Sequence, residues 1–328
     1  IRTVPTFIVM RDGIEIARIS FTAKAAGVDD IKEFPWIQRP SEAELARAPS
    51  YLRQIGALDP DGDLTDHGLE LRNFAGEINV ANLMILADRF GCAVEIATLL
   101  SMIKLGGYTK LLLWDRSWDA PTKRAVHRIH QGLIEPCLDD LEFYLKLAEA
   151  WDGSLFGRRD NRTRAEWAQR YFVNHGVMRN QVFAERETLL AGLSGHKKEL
   201  AVRPLSFDLL TRLRIVLTYG LSNQVYQLAN SPGDGQTMTE APLYKPYIAD
   251  PQAHPELVAL HQDAVVEISP DSICFGRRTP DHFVCGQRSR LRRRLSPQAE
   301  PLTIITASFI VLLHPDWLRL IGRPPVEV

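Results

Sequence analysis

Arg277, Arg278, Arg288, Arg290, Arg292, Arg293 and Arg294 face a single acid, Asp281, over residues 277–294. No lysine falls in that span, so every cation is a planar guanidinium, able to grip phosphate oxygens in pairs and to stack on bases. Such a cluster reads either as a surface that holds a polyanion electrostatically or as a solvated loop between strands; it does not break bonds. The chain as a whole has a formal charge of −1, so attraction for nucleic acid has to come from this local clustering. Phe275 and Phe283 flank the arginines on expected strands, where they serve either as core residues or as platforms for stacked bases. A second basic group, Arg158, Arg159, Arg162, Arg164 and Arg170, sits in a charged stretch that reads equally as a solvated loop.

Bond-breaking chemistry is not supported. A nucleotide motor needs a glycine-rich phosphate cradle ending in Lys-Ser/Thr and an acidic pair for magnesium. Gly195-His196-Lys197-Lys198 lacks the first glycine and the hydroxyl residue, and no Asp-Glu-x-His occurs. Asp59, Asp61, Asp63 and Asp66 superficially resemble a calcium loop but lack its closing bidentate Glu, so they read as turn formers and helix caps. His127 and His130, with Arg124 and Arg128, read as a solvated polar helix face rather than as metal ligands. Ser194-Gly195-His196 has no acid partner and no nucleophile elbow. Cys92, Cys137, Cys274 and Cys285 form no Cys-x-x-Cys pair and read as buried thiols in a reducing, cytoplasmic setting. No catalytic residue, metal ligand or cofactor is expected in this chain.

The elements that would position these residues follow from pattern. With 328 residues, 45% of them hydrophobic and 24% charged, the chain is long enough for two or three domains. No apolar run is long enough to span a membrane. Residues 1–22 read as a hairpin around Asp12-Gly13. Ser41-Glu42-Ala43-Glu44 is a capping box opening a helix through Leu45, Ala48, Leu52 and Ile55, interrupted at Pro49 and stopped by Gly56. Leu58–Thr65 reads as strand, tight turn and strand, and Thr65 caps the next helix, which carries Leu69 and Leu71. Residues 80–200 show helical periodicity almost throughout, with breaks at Gly106-Gly107 and Asp152-Gly153-Ser154. Another helix, Phe207 to Leu217, precedes a Gly/Ser/Pro-rich loop near Asn230–Gly235. The period then becomes two, at Val265–Ile268, Ser272–Phe275, His282–Cys285 and Leu302–Ile305, as in a small barrel. The expected class is mainly α with a small C-terminal β-barrel: a winged-helix-like region at 1–78, a helical bundle at 79–200, and a connecting helix plus OB-like barrel at 201–328. Truncation at 240 is expected to leave a folded helical remainder.

Three segments, in order over residues 34–318, resemble the region that follows the motor domains in DEAH-type RNA helicases. The first is the winged helix, from Phe34-Pro35-Trp36 to Pro40 and on through Leu52, Gly56-Ala57-Leu58, Gly62 and Leu64-Thr65-Asp66-His67-Gly68. The second is the helical ratchet: Gly91-Cys92, Glu95-Ile96, Asp140 to Leu145, Trp151, Trp167 and Phe172. The third is the barrel, where Ile268-Ser269-Pro270-Asp271-Ser272 resembles the family's Ile-His-Pro-x-Ser and Trp317-Leu318 closes the domain. Departures are Ser269 for that His, Phe74-Ala75-Gly76-Glu77 for a Pro-rich turn, Ile14–Arg18 without the family's proline, and Gly176 where many members carry Arg.

The resemblance implies a nucleic-acid-binding accessory region that holds single-stranded RNA, with DNA as the alternative, for RecA-like motor domains upstream in the same protein. ATP and magnesium would belong to that full-length helicase. It also implies that Asn174, His175 and Arg179, after Phe172, face the nucleic acid. Trp151, Trp167, Phe172 and Phe143 read as core. The rival reading is a free-standing interaction or helicase-adaptor module. A DNA-binding regulator fits less well, since the candidate recognition helix near Thr65–Phe74 carries Asp66, Glu70 and only Arg72 as a base.

Overall fold

A computed structural model describes residues 49, 52–53, 55–71, 74, 78–105, 108–153, 159–193, 202–221, 224–229, 242–247, 265–277, 279–289 and 298–305. The expected hairpin at 1–22, the capping box at 41–44, the loop at 194–200 and Trp317-Leu318 lie outside the described residues. The chain forms two compact units, Ile1–Ile85 with Arg319–Val328, and Leu86–Leu318.

In the first unit, Pro49, Leu52 and Arg53 are helical. Gly56 then turns the chain with φ of 74°, a left-handed conformation that favours glycine. Leu58 and Leu64 pair antiparallel around a tight turn. Asp59 ties that turn, its carboxylate accepting from the Asp63 amide at 2.7 Å. Thr65 caps α1, Asp66–Leu71, by accepting from the Gly68 amide at 3.0 Å. Gly68 is obligatory for packing, since an added Cβ would collide with the Ala57 carbonyl. His67 meets Asn82 of α2, Ile78–Arg89, at 2.9 Å.

The second unit holds the helices and the barrel together. α3, Ala93–Ile103, buries ten of its eleven residues and packs against α5 and α7. The other helices are α4, Ala120–Ile134; α5, Asp140–Asp152; α6, Asn161–Tyr171; and α8, Phe207–Gly220. α7 runs continuously from His175–Val177, through a π-turn at Met178–Val182, to Phe183–Ala191. Asp119, Asp139, Asp160 and Ser206 each cap the following helix by accepting a backbone amide. α5 ends at Gly153, φ 78°, where a side chain would strike Arg159.

The barrel is closed, in the order β1-β2-β3-β5-β4 and back to β1. Its strands are β1, Val225–Leu228; β2, Leu243–Pro246; β3, Val266–Ile268; β4, His282–Ser289; and β5, Gln298–Ile305. All pairs are antiparallel except β3 with β5. Tyr226, Tyr244 and Phe283 fill its core, with Phe283 stacked 5.6 Å from Tyr226 and edge-on to Tyr244 at 4.9 Å. The class, mainly helical with a small β-barrel, is as expected, but one expected strand is absent and two others are added. Ser272–Phe275 forms a turn, and β1 and β2 bracket the stretch read as loop.

Helices and barrel are joined by buried polar bonds. Asp139 accepts from the Thr303 hydroxyl of β5 at 3.0 Å, and Arg214 of α8 reaches Glu142 at 3.2 Å and Asp139 at 3.5 Å. Asp140 accepts from the Ser272 hydroxyl at 2.7 Å and the Ile273 amide at 2.9 Å. Cutting at 240 would strip these bonds from α5.

Candidate nucleic-acid interface

The segment after α6 is shaped by backbone bonds. Phe172 takes φ of 53°, unusual for a residue with a side chain, and ends the helix. Its carbonyl accepts from the Leu113 amide at 2.7 Å and from His130 Nε2 at 3.1 Å. Val173 bridges Leu112, and the Asn174 amide donates to the Leu111 carbonyl at 2.8 Å. The chain leaves this clamp directly into α7.

Asn174, His175 and Arg179 therefore share the first turns of one helix. The Asn174 side chain caps it, accepting from the Val177 amide at 3.1 Å. His175 is half-buried, its ring 5.6 Å from that of Trp151. Burial, and then the charges of Arg179 and Arg164, hold its pKa below the ordinary value. Arg179 is exposed on the π-turn, and Gly176 beside it is exposed as well.

Beneath this turn lies a cationic, aromatic layer. Trp151 packs 4.7 Å from Phe183, and the Arg164 guanidinium sits 4.9 Å over the Trp151 ring while ion-paired to buried Asp152. Arg186 is fully buried, 4.2 Å over Phe183, and donates to Glu187 at 2.7 Å. Trp151 Nε1, His175 Nδ1, Arg164 Nε and Arg186 Nε and Nη1 are buried without a hydrogen-bond partner among the described residues. Each of these guanidiniums is paired with a carboxylate, so the exposed charge of the turn is that of Arg179.

Of the arginine cluster, Arg277 is exposed in the 273–277 turn, its Nη1 donating to the Ile273 carbonyl at 3.3 Å. Arg288 lies on β4 opposite Ala299. Arg278, Arg290, Arg292, Arg293 and Arg294 lie outside the described residues. Phe275 is exposed in the same turn as Arg277, whereas Phe283 is core and cannot stack a base. One segment the sequence reading passed over links the two groups. Thr109, in the 3-10 turn Tyr108–Lys110, donates to Asp271 at 3.1 Å, and Leu111 to Leu113 bond to the 172–174 clamp.

Other expectations divide. Trp151 and Phe143 are core, but Trp167 and Phe172 are only half-buried. His130 is not solvated: it is buried, with its pKa lowered chiefly by desolvation. Val126, His130 and Ile134 form the buried stripe of α4, a spacing of four that was available in the sequence. The four cysteines are free and buried, with burial pushing Cys92 up to about 12 and Cys137 to about 11, far from reactive thiolates. Among the described residues, no group of three His, Cys, Asp or Glu could hold a metal ion. No described helix is long and apolar enough to cross a membrane.

The fold and site define a mainly helical chain with a closed five-stranded barrel and a cationic turn. No family model matches it. It is similar to a Schizosaccharomyces pombe protein assigned as a pre-mRNA-splicing factor ATP-dependent RNA helicase, 24% identical over 208 residues. That stretch covers 63% of this chain and 30% of the relative, so the chain matches less than a third of that protein's length.

Proposed function

We propose that this chain is the accessory, RNA-holding region of a DEAH-type RNA helicase, gripping a single strand by its phosphates while motor domains elsewhere do the ATP-dependent work. In this reading residues 1–78 are a winged helix, 79–200 the ratchet bundle and 201–328 a connecting helix with an OB-type barrel. The strand order β1-β2-β3-β5-β4 with parallel β3 and β5 supports the barrel assignment. The Leu58–Leu64 bridge followed by a capped α1 supports the winged helix. The similarity to a splicing-factor RNA helicase supports the family.

One observation carries the reading. The fragments of the resemblance are far apart in sequence, yet Asp140 of the ratchet fragment bonds Ser272 of the barrel fragment. Arg179 and Arg277 then offer cations on either side of the Tyr108–Leu113 link, with the His175 ring beside Arg179, where a sugar-phosphate backbone is held without sequence preference. Photocrosslinking of a 4-thiouridine-substituted single-stranded RNA to the whole chain tests this. Crosslinked peptides are expected from 172–179 and 277–294; crosslinks confined to 34–74, or none, would favour the DNA regulator or the adaptor module.

A further inference from the structure

Trp114 is 52% exposed, the most exposed large aromatic among the described residues after Phe207. It lines a surface cavity of about 590 Å³ with Lys123, Arg124, His127 and Arg128 of α4. Arg124, His127 and Arg128 are exposed and Lys123 half-buried, its ammonium donating to the Arg116 carbonyl at 2.8 Å. The two acids of the preceding loop are turned to local tasks. Asp115 accepts from the Ser117 amide at 2.7 Å, and Asp119 caps α4 through the Thr122 amide at 2.8 Å. The cavity therefore combines an open indole face with a row of cations, the pairing that stacks a base and neutralises its flanking phosphates.

The indole is positioned. Trp118 meets it edge-on at 6.2 Å, and Trp118 in turn packs edge-on to Phe172 at 5.6 Å. Leu113, the residue before Trp114, bonds directly to the Phe172 carbonyl. Ring packing and one backbone bond thus tie the indole to the clamp that opens into Asn174, His175 and Arg179.

We propose that this cavity is a nucleotide subsite for single-stranded RNA, with one base stacked on Trp114 and adjacent phosphates on Arg124, Arg128 and Lys123. The proposal rests on the RNA-holding reading and extends the path of the strand from the His175–Arg179 turn onto α4. An acidic peptide would use the same cations, but it would leave the indole with no ring to stack on.

The test is fluorescence anisotropy of labelled oligo-uridylate with the whole chain at several salt concentrations, beside thermal melts. Trp114→Ala is expected to weaken binding about fivefold or more, and Trp114→Phe to retain most of it. Arg124→Ala with Arg128→Ala is expected to lower the slope of log affinity against log salt by about 1.4. All three proteins should melt like wild type, because the altered side chains are exposed. Salt-dependent binding left unchanged by every variant overturns the subsite while leaving the RNA-holding reading in place. Absence of binding by wild type overturns both. Loss of binding to a labelled glutamate-rich peptide, with RNA binding intact, overturns the subsite in favour of an acidic protein partner.

Discussion

The Asp140 carboxylate and the Ser272 hydroxyl, 132 positions apart, meet at 2.7 Å in a fully buried contact. The same carboxylate takes the Ile273 amide, and Ser272 also accepts the Cys274 amide at 3.1 Å. Together they set the 269–277 turn that presents Phe275 and Arg277. A buried hydrogen bond to a carboxylate contributes about 1.5–3 kcal/mol, and a donor left buried without an acceptor adds to the loss.

Asp140→Ala is accordingly expected to lower stability by about 3 kcal/mol, more than Ser272→Ala, which leaves the Ile273 bond in place. Urea denaturation of both variants measures the difference. Truncation at 240 should destabilise the helices rather than leave them untouched, because it also removes Thr303 from Asp139. Equal costs for the two point variants, or a truncated chain as stable as the whole, would contradict this account of the junction.

A second joint closes the far side of α3. Glu95 is fully buried and receives Arg203 through Nε and Nη2 at 3.0 Å and through its amide at 3.1 Å. Arg203→Ala leaves a buried carboxylate without its guanidinium and is expected to cost about 3 kcal/mol. Glu95→Gln should cost less, since its amide oxygen still accepts. Thermal melts showing the reverse order would remove the ion pair from the bundle's supports.

Much of this was legible locally. Period-two alternation located β3, β4 and β5, and the Asp59 turn and the Thr65 cap follow from residue type alone. What was missed depends on distant partners. Ser272–Phe275 alternates like a strand, but Asp140 recruits its hydroxyl and amide into a turn. Arg203 sits in a stretch with no periodicity, so only the fold brings it to Glu95. Arg186 is a charged helix residue that nothing in its local sequence marks as core, yet it is buried over Phe183. Asn174 was legible as a site residue only through resemblance, and its side chain turns out to be occupied in capping α7.

Acid sensitivity should come from two histidines. Burial is the first cause that lowers the pKa of both His130 and His175 from 6.5. The unfolded chain therefore takes up more protons between 6.5 and the folded values. Stability is full above about 6.5 and falls as pH drops through that window, by at most about 1.4 kcal/mol per pH unit for each group. NMR titration should place both midpoints below 6.5, and saturating RNA should raise that of His175 as phosphate offsets Arg179. A His175 midpoint indifferent to RNA would take the α7 turn out of the binding path.

The most direct measurement is the salt dependence of single-stranded RNA binding by the whole chain, before and after Arg290→Ala, Arg292→Ala and Arg293→Ala together. Each phosphate contacted contributes roughly 0.7 to the slope of log affinity against log salt. Phosphates look alike, so the loss should be similar for different sequences. If these arginines hold the backbone, the triple variant keeps its fold and its slope falls by about 2. A well-folded variant with an unchanged slope would contradict RNA-holding by this arginine cluster.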